Sequence, residues 1–357
     1  MRALVLAGGH GTRLRPLTST GNKHMIPIAN EPILFYGLRQ VARAGIVETG
    51  IVLGPIHEGI REAVGDGASF GLRVTYVEQG PPKGLAHAVQ CARPFLGDEP
   101  FVLYLGDNLL EHGLESFVRL FADQHPEAVI GVTPVNVPHQ YGIVELAGPK
   151  ILSIEEKPRH PKSNQALVGV YVFSPRIHEV IARLRPSPRG ELEITDAIRA
   201  LVDRGDRVLV ERVHGWWKDT GAPDDLLQAN DLVLESRLPG EFGRSGTIEA
   251  GAAVVGSVAI GDDTVVESGA SIEGPVVIGR GARIGRGTEI GPGTSIGDGA
   301  QLNGCAIRHS IVMEGAQIAG PLRLRDSLIG RYADIRGQGP IAREIALLVG
   351  DSSRLRL

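Results

Sequence analysis

Over the last third of the chain an aliphatic residue returns at every sixth position, and this period leaves few folds open. The aliphatic residues are Ile260, Val266, Ile272, Ile278, Ile284, Ile290, Ile296 and Leu302. Glycine directly follows most of them, and the chain holds 48 glycines in all. A hexapeptide period is typical of a parallel β-helix, in which each face of a coil points one aliphatic side chain inward. Glycine supplies the backbone freedom that the tight corners need.

The period loses register after Leu302. Two stretches, Cys305–Met313 and Gly320–Asp326, break the count before it partly resumes at Ile329 and Ile335. The pattern therefore predicts the fold of this region, although a fold of this kind says little about function.

The preceding part of the chain has a different pattern, in which predicted strands and helices alternate as in an α/β domain with a mainly parallel sheet. Ala3–Ala7 and Phe101–Leu105 are continuous apolar runs, as expected for strands covered on both faces. A helix is predicted over Pro32–Ala44, ending at Gly45. We therefore expect two domains, residues 1–240 and residues 241–357.

Composition excludes several classes of function. The formal net charge of −4 gives no general attraction to nucleic acid or to an anionic membrane. Cys91 and Cys305 are the only cysteines, and they lack the spacing of a disulfide framework or a thiolate metal site. No signal peptide or membrane-spanning run is visible in the sequence. We expect a cytoplasmic protein with no nucleic-acid or membrane partner.

A glycine-rich loop follows the first predicted strand and reads Leu6-Ala7-Gly8-Gly9-His10-Gly11-Thr12-Arg13-Leu14-Arg15-Pro16. Its backbone N–H groups suit phosphate oxygens, and Arg13, Arg15 and the nearby Lys23 add cations. No Gly-Lys-Ser/Thr follows, so it is not a Walker loop. Leu14 stands where a dinucleotide fingerprint needs its third glycine. A tight turn with solvated arginines is the alternative, but three neighbouring cations favour a phosphate site.

Two separated aspartates are candidate metal ligands. Asp107 follows the predicted strand Phe101–Leu105, and ligands of open α/β sheets bind beyond the carboxyl ends of strands. Asp219 lies in Trp216-Trp217-Lys218-Asp219-Thr220-Gly221. Two carboxylates and a polyphosphate make a suitable octahedral Mg²⁺ site. Each aspartate has an alternative role as a helix N-cap.

The run Glu155-Glu156-Lys157-Pro158 places acidic and basic groups at the end of another predicted strand. Solvated charge is the usual explanation of such a run. Here Glu156 is a candidate for hydrogen bonds to sugar hydroxyls, and Lys157 is a candidate phosphate ligand. The histidines show no zinc-binding spacing, and no nucleophile motif is present.

Together these motifs resemble the sugar-nucleotide pyrophosphorylase family, and most closely its long members, which use dTTP and glucose 1-phosphate. The resemblance covers essentially the whole chain. Its most specific blocks are Leu6–Thr18, Asn22–Gly37, Leu105–Asn108, Ile154–Phe173, Arg189–Asp196 and Trp216–Gly221. It implies a Rossmann-like nucleotidyltransferase domain followed by a left-handed parallel β-helix. It also implies Mg²⁺-dependent, direct in-line attack of the sugar phosphate on dTTP, giving dTDP-glucose and pyrophosphate.

The resemblance also implies roles for individual residues. The implied catalytic residues are Arg13, Lys23, Asp107 and Lys157. The implied nucleotide-binding residues are Leu6, Gly8, Gly9, Gly11, Thr12, Gln79, Gly84 and Asp107, of which Gln79 and Gly84 read the thymine edge. The implied residues for the sugar phosphate are Tyr141, Gly142, Glu156, Lys157, Thr195 and Trp217. Asp107 and Asp219 are the implied metal ligands.

Three alternatives remain open at this point. The first is the same chemistry with UTP or another sugar 1-phosphate, since a methyl group in an apolar pocket gives only about 1–3 kcal/mol of discrimination. The second is a bifunctional enzyme whose tail transfers acetyl groups through His309. The third is a regulatory or scaffold protein without catalysis. In every case the exposed faces of a solenoid make a homo-oligomer plausible.

Overall fold

A computed structural model describes residues 1–57, 59–236, 243–339 and 343–357. They form two compact units, each assembled from separate stretches of chain. The first unit contains Met1–His10 and Leu34–Asp219, and the second contains Gly11–Ile33 and Thr220–Leu357. The predicted boundary between residues 240 and 241 lies outside the described residues. No helix among those described combines the length and apolarity that crossing a bilayer requires.

The first unit is an α/β fold. Its strands are β1 (Arg2–Ala7), β2 (Glu48–Leu53), β3 (Arg73–Glu78), β4 (Phe101–Leu105), β5 (Asn108–Leu110), β6 (Ala128–Pro134), β7 (Gly142–Ala147), β8 (Lys150–Glu156), β9 (Gln165–Phe173), β10 (Val208–Arg212) and β11 (Trp217–Asp219). The helices of the chain are α1 (Ile33–Arg43), α2 (Ile60–Val64), α3 (Leu85–Cys91), α4 (Arg93–Leu96), α5 (Glu115–Gln124), α6 (Ile177–Ile181), α7 (Ile194–Asp203) and α8 (Pro223–Ser236), the last belonging to the second unit.

Within the described residues, nine strands form one sheet in the order β8-β7-β9-β4-β1-β2-β3, with β6 joining β9 and β10. The four strands β3, β2, β1 and β4 are parallel, but β9 runs antiparallel to β4, β6 and β7. Seven of the nine strands therefore share one direction, as the prediction of a mainly parallel sheet requires, and only β8 and β9 run against them. Parallel neighbours need a long crossover connection. The turn Gly148-Pro149 between β7 and β8 instead folds the chain straight back.

The second unit is the predicted β-helix, built from three parallel sheets. One sheet contains Thr247–Ile248, Val265–Val266, Arg283–Ile284, Gln301–Asn303, Gln317–Ala319, Asp334–Arg336 and Arg354–Arg356. Another contains Ala253–Val255, Ser271–Glu273, Glu289–Ile290, Ala306–Arg308 and Arg323–Arg325. The third contains Val258–Ile260, Val276–Ile278, Thr294–Ile296, Ile311–Val312, Leu328–Ile329 and Leu348–Val349.

The hexapeptide residues fill the axis of this β-helix, as predicted. Each of them, from Ile260 to Leu302, is at most 2% exposed. Ile260 pairs with Ile278, which pairs with Ile296, so every third repeat stacks on itself. After Leu302 the coil length varies. Ile296 pairs with Val312 in a shorter coil, whereas Ile329 pairs with Val349 in a longer one. Among the described residues, the loss of register in the sequence therefore corresponds to a change in coil length, with strand pairing maintained from coil to coil.

Candidate functional site

The carboxyl ends of the four parallel strands meet at one edge of the sheet, as parallel pairing requires. Gly8 follows β1 and Gly54 follows β2, and their backbones touch: a β-carbon on Gly54 would lie 2.2 Å from the carbonyl oxygen of Gly8. A β-carbon on Gly8 would lie 2.9 Å from Oε1 of Gln79, which follows β3. Leu6 anchors the loop from inside the core at 7% exposure. There is thus no room for a side chain at Gly8, and the loop presents backbone atoms there. Gly9 follows and is exposed.

Gln79 is buried beside this glycine surface, at 8% exposure. Its Nε2 donates to the carbonyl oxygen of Gly84 at 3.1 Å and lies 3.3 Å from Nδ1 of His87. Gly84 has a positive φ of 101°, and a β-carbon there would lie 2.4 Å from the carbonyl oxygen of Leu192. The structure therefore brings Gly8, Gln79 and Gly84 together, at the places where the resemblance puts nucleotide-binding residues.

His87 supports Gln79 and was missed by the sequence reasoning. Its Nε2 lies 3.6 Å from Sγ of Cys91, one turn further along α3. Burial, together with the charge of Lys83, lowers the pKa of His87, so the neutral ring is favoured. Burial also raises the pKa of the Cys91 thiol. The spacing of His87 and Cys91 along one helix face was the only sequence signal for this pair.

The other part of the glycine loop belongs to the second unit. Gly11 has a φ of 61°, and its carbonyl oxygen accepts a hydrogen bond from Thr18 Oγ1 at 2.8 Å. A β-carbon on Gly11 would lie 3.1 Å from Cβ of Lys23. Leu14 is fully buried and fixes the short helix Thr12–Leu14, while Thr12 and Arg13 stay exposed. The Arg13 guanidinium packs on Gly221, where a β-carbon would lie 2.6 Å from Nη2.

The two candidate metal ligands lie at the same end of a two-stranded ribbon. Strands β5 and β11 are antiparallel, and Asn108 is paired with Asp219. Asp107 immediately precedes Asn108, and paired residues of antiparallel strands have Cα atoms about 4.5–5.5 Å apart. Neither aspartate is a helix N-cap, since Asp107 leads into a strand and α8 begins only at Pro223. The pairing thus brings the backbones of two acidic residues together, and carboxylate oxygens suit a hard divalent cation.

Within the described ranges, no cluster of three or more histidine, cysteine or acidic side chains could hold a metal ion. A cation at Asp107 and Asp219 would therefore take its remaining ligands from a substrate and water. That is the usual arrangement for Mg²⁺ bound with phosphates.

Asn108 is a further site residue that the sequence reasoning did not single out. It is 2% exposed, and its Nδ2 donates to Asp107 Oδ1 at 2.9 Å. Its Oδ1 accepts hydrogen bonds from Trp217 Nε1 at 2.7 Å and from the Gly169 N–H at 3.1 Å. One buried amide thus ties together the aspartate, the ribbon and strand β9.

Replacing Asn108 with alanine should lower the free energy of unfolding by about 1–3 kcal/mol, because it leaves the buried N–H of Gly169 and the half-buried indole N–H of Trp217 without an acceptor. Urea denaturation followed by circular dichroism measures this loss. The matched control is Asn164→Ala, an exposed side chain, for which we expect a change within about 0.5 kcal/mol. Equal effects in the two variants would contradict the role given to Asn108.

A second group of predicted residues gathers around the ends of β7 and β8. Gly142 is paired with Glu156, and a β-carbon on Gly142 would lie 2.7 Å from Thr195 Cγ2 and 3.0 Å from Glu156 Oε2. The Lys157 N–H donates to the carbonyl oxygen of Tyr141 at 3.0 Å. The rings of Tyr141 and Trp217 meet edge to face, with centroids 5.4 Å apart. All six residues predicted for the sugar phosphate therefore lie in one neighbourhood.

Arg189 completes this neighbourhood. Its Nη1 lies 3.3 Å from Glu156 Oε1 and 3.4 Å from Glu193 Oε1. Burial raises the pKa of Glu156, which Lys157 and Arg189 partly oppose and Glu193 reinforces. Arg189 and Glu193 stand in the quoted block Arg189–Asp196, but no role was given to them there. Arg189 therefore supplies a positive charge that balances the carboxylates of Glu156 and Glu193.

His309, the residue on which the acetyltransferase alternative depends, is held between two carboxylates. Its Nε2 lies 2.8 Å from Asp231 Oδ2, and its Nδ1 lies 2.5 Å from Asp326 Oδ1. Both ring nitrogens are thus engaged with acidic groups from α8 and the β-helix. This arrangement leaves neither nitrogen available as a general base, which argues against that alternative.

Residues 2–236 match the model of the nucleotidyl transferase family, and residues 272–351 match that of the GMPPB C-terminal domain. A glucose-1-phosphate thymidylyltransferase of Streptomyces griseus is 44% identical over 358 residues, covering 100% of this chain and 99% of that relative.

Two solved structures resemble the chain over about two thirds of its length. A Bacillus anthracis protein, described as a glucose-1-phosphate thymidylyltransferase and solved with sucrose, has 34% identity and a TM-score of 0.62. It covers 65% of this chain and 94% of its own. A UDP-glucose pyrophosphorylase with bound UDP-glucose has 26% identity and a TM-score of 0.59, covering 66% of this chain and 99% of its own.

Proposed function

This chain belongs to the nucleotidyl transferase family, and from that premise we propose that it is a glucose-1-phosphate thymidylyltransferase, which joins dTTP and α-D-glucose 1-phosphate into dTDP-glucose and pyrophosphate. The full-length likeness to the Streptomyces griseus thymidylyltransferase supports this substrate pair. The observation that carries the proposal is the meeting of Asp107 and Asp219 at one end of the β5–β11 ribbon. Strand pairing thus places two acidic residues that are distant in sequence beside each other, and carboxylates are the ligands that Mg²⁺ takes from proteins.

The proposed reaction is a direct in-line displacement. A phosphate oxygen of glucose 1-phosphate attacks the α-phosphorus of dTTP, the new P–O bond forms, and the bond to the β-phosphate oxygen breaks as pyrophosphate leaves. The attacking oxygen is already ionised at neutral pH, so catalysis depends on positioning and on the neutralisation of charge. A protein nucleophile and a general base are both unnecessary.

Different residues of the chain bind the triphosphate, the thymine base and the sugar phosphate. The backbone at Gly8, Gly9, Gly11 and Thr12 receives the triphosphate, while Arg13 and Lys23 offset its negative charge. Gln79 reads the thymine edge through an amide that Gly84 and His87 orient. Glu156 binds sugar hydroxyls beside Tyr141, Gly142, Thr195 and Trp217, and Lys157 binds the sugar phosphate.

The family's chemistry depends on a divalent cation, and we propose Mg²⁺ held by Asp107 and Asp219. The donor set fits, because two carboxylates leave the remaining octahedral positions to phosphate oxygens and water. When bound, the cation supplies neutralisation of the charge on the triphosphate. Asn108 holds Asp107 in place through its Nδ2.

UTP is the second candidate nucleotide. The likeness to a UDP-glucose pyrophosphorylase favours it, and dTTP and UTP differ at the base by one methyl group. We therefore propose to measure pyrophosphate release with each pairing of dTTP, UTP, ATP or GTP with glucose 1-phosphate or mannose 1-phosphate. The highest kcat/KM should belong to dTTP with glucose 1-phosphate. Preference for UTP would replace the substrate assignment, and no turnover with any pair would overturn the proposed activity.

Replacing Lys157 with alanine should raise the KM for glucose 1-phosphate roughly tenfold or more, since a hydrogen bond between charged groups is lost. The KM for dTTP should change little, because Lys157 belongs to the sugar-phosphate group of residues. Lys162→Ala is the matched control, since this exposed lysine lies 3.9 Å from Glu145 and apart from that group. Steady-state kinetics with each substrate varied in turn make the comparison. An equal effect on both KM values would contradict the role of Lys157.

Three further expectations remain proposals. The catalytic and solenoid domains divide near residue 240, the protein works in the cytoplasm, and it forms a homo-oligomer. Size-exclusion chromatography with light scattering tests the last of these, and a mass equal to one chain would contradict it.

A further inference from the structure

The segment Gly11–Ile33, which carries Arg13 and Lys23, has little secondary structure of its own. It contains three short 3-10 helices, Thr12–Leu14, Leu17–Ser19 and Lys23–Met25, followed by the two-residue strands Pro27–Ile28 and Glu31–Pro32. Short 3-10 helices have poorer hydrogen-bond geometry than an α-helix, so we expect long-range contacts to contribute to the conformation of the segment. The segment belongs to the same compact unit as the β-helix.

The last coils of the β-helix hold the segment on both sides of Lys23. Arg331 Nη2 donates to the carbonyl oxygen of Met25 at 2.8 Å. Thr20 Oγ1 donates to Asp351 Oδ2 at 2.7 Å. The Arg331 N–H donates to Asp351 Oδ1 at 2.7 Å, so the two solenoid residues are linked to each other. Lys23 is therefore bracketed by two anchored positions, three residues before it and two after.

The solenoid approaches the start of the segment closely as well. A β-carbon on Gly350 would lie 3.1 Å from both Cβ and the carbonyl oxygen of Pro16. Pro16 stands three residues after Arg13. The contact therefore limits where the arginine-bearing turn can move.

A further set of hydrogen bonds holds the C-terminal end of the segment. Asn30 Nδ2 donates to the carbonyl oxygen of Ile296 at 2.7 Å. The Ala29 N–H donates to Oδ1 of Asn230, which is fully buried in α8 and also accepts from Ser295 Oγ at 2.6 Å. Asn230 Nδ2 donates to the carbonyl oxygen of Gly293 at 3.0 Å. Helix, solenoid and segment thus meet in one satisfied polar network.

We propose that Arg331 and Asp351 are positioning residues of the thymidylyltransferase: through Met25 and Thr20 they hold Lys23, and with it the triphosphate-binding segment, in its productive conformation. This inference rests on the proposed function. The β-helix is then a part of the nucleotide site's support, in addition to any role in assembly. A charged group misplaced by about 1 Å can lower the rate by up to 10²-fold, so loss of this support should be measurable in the enzyme kinetics.

The experiment compares four variants of the full-length enzyme. Arg331→Ala removes the bond to Met25, but leaves Asp351 bonded to Thr20. Arg331→Lys keeps a cation and one donor. Asp351→Ala removes the bond to Thr20. Arg336→Ala is the matched control, since this solenoid arginine bonds Asp334 and Gln317, both within the β-helix.

Arg331→Ala and Asp351→Ala should each raise the KM for dTTP roughly tenfold or more, because a displaced Lys23 loses a charge-assisted hydrogen bond to the triphosphate. The KM for glucose 1-phosphate should stay within about twofold, because its proposed ligands lie outside the segment. Arg331→Lys should recover part of the loss, and Arg336→Ala should behave as the wild type. Hydrogen exchange should quicken in peptides covering residues 11–33 and remain unchanged in those covering residues 102–110.

Equal losses for both substrates, or the same losses in Arg336→Ala, would overturn the proposal in favour of general destabilisation. Unchanged KM for dTTP and unchanged exchange in residues 11–33 would overturn it outright. Failure of the proposed function has a different signature, since the wild type itself would then form no dTDP-glucose. Hydrogen exchange would still report on whether Arg331 and Asp351 hold the segment.

Discussion

Asp107→Asn should lower kcat by about 10²-fold or more, the scale expected when one preorganised electrostatic group is lost. Asparagine keeps the size of the side chain and a carbonyl oxygen for a cation, but it removes the negative charge. Partial recovery is therefore expected at high Mg²⁺ concentration. Pyrophosphate release at saturating dTTP and glucose 1-phosphate, titrated with Mg²⁺, measures both effects.

The matched control for this change is Asp123→Asn, which alters an exposed aspartate of α5. It should leave kcat and the Mg²⁺ dependence unchanged. Near-normal turnover of Asp107→Asn would remove the assignment of Asp107 as a metal ligand. A fall in kcat that does not depend on Mg²⁺ would point to a structural role instead.

Arg13→Ala should also lower kcat by about 10²-fold or more, because its guanidinium offsets charge that shifts toward the departing pyrophosphate. Arg13 is exposed, and its guanidinium packs on Gly221, so no buried core is opened by truncation. The melting temperature should therefore change little. Single-turnover measurements with dTTP and glucose 1-phosphate separate the chemical step from product release.

Arg15→Ala provides the comparison within the same loop, since Arg15 is likewise an exposed arginine. We expect a clearly smaller loss there. Arg13→Lys should restore part of the rate, since it retains a cation but not the bidentate donor. If Arg13→Ala and Arg15→Ala lower kcat equally, the loop acts through its total charge and Arg13 has no particular role.

The β-helix was predictable because its side chains repeat with a fixed period, and periodicity survives without knowledge of long-range contacts. Strand β4 was predictable from its continuous apolar run, and its bounds Phe101–Leu105 agree with the prediction. The antiparallel arrangement of β9 was not predictable in this way. A buried apolar strand reads alike in either direction, so its pairing depends on connections elsewhere in the chain.

The candidate site could be predicted only as a list of residues. Strands β5 and β11 have three residues each, too few for a periodic signal, and it is their pairing that brings Asp219 to Asp107. Asn108 and Arg189 were overlooked because their importance arises from burial and from partners distant in sequence. An asparagine and an arginine, considered by residue type alone, predict no specific role.

The coils of varying length after Leu302 indicate where this protein tolerates insertions and deletions. Coils of different length stack on one another because the short strands keep their pairing while the corners absorb the missing residues. Corners are consequently the positions at which a tag, a loop graft or a natural length variant can be accommodated with least disturbance. A single residue added within a strand would instead turn the axial side chain outward and expose the interior of every coil that follows.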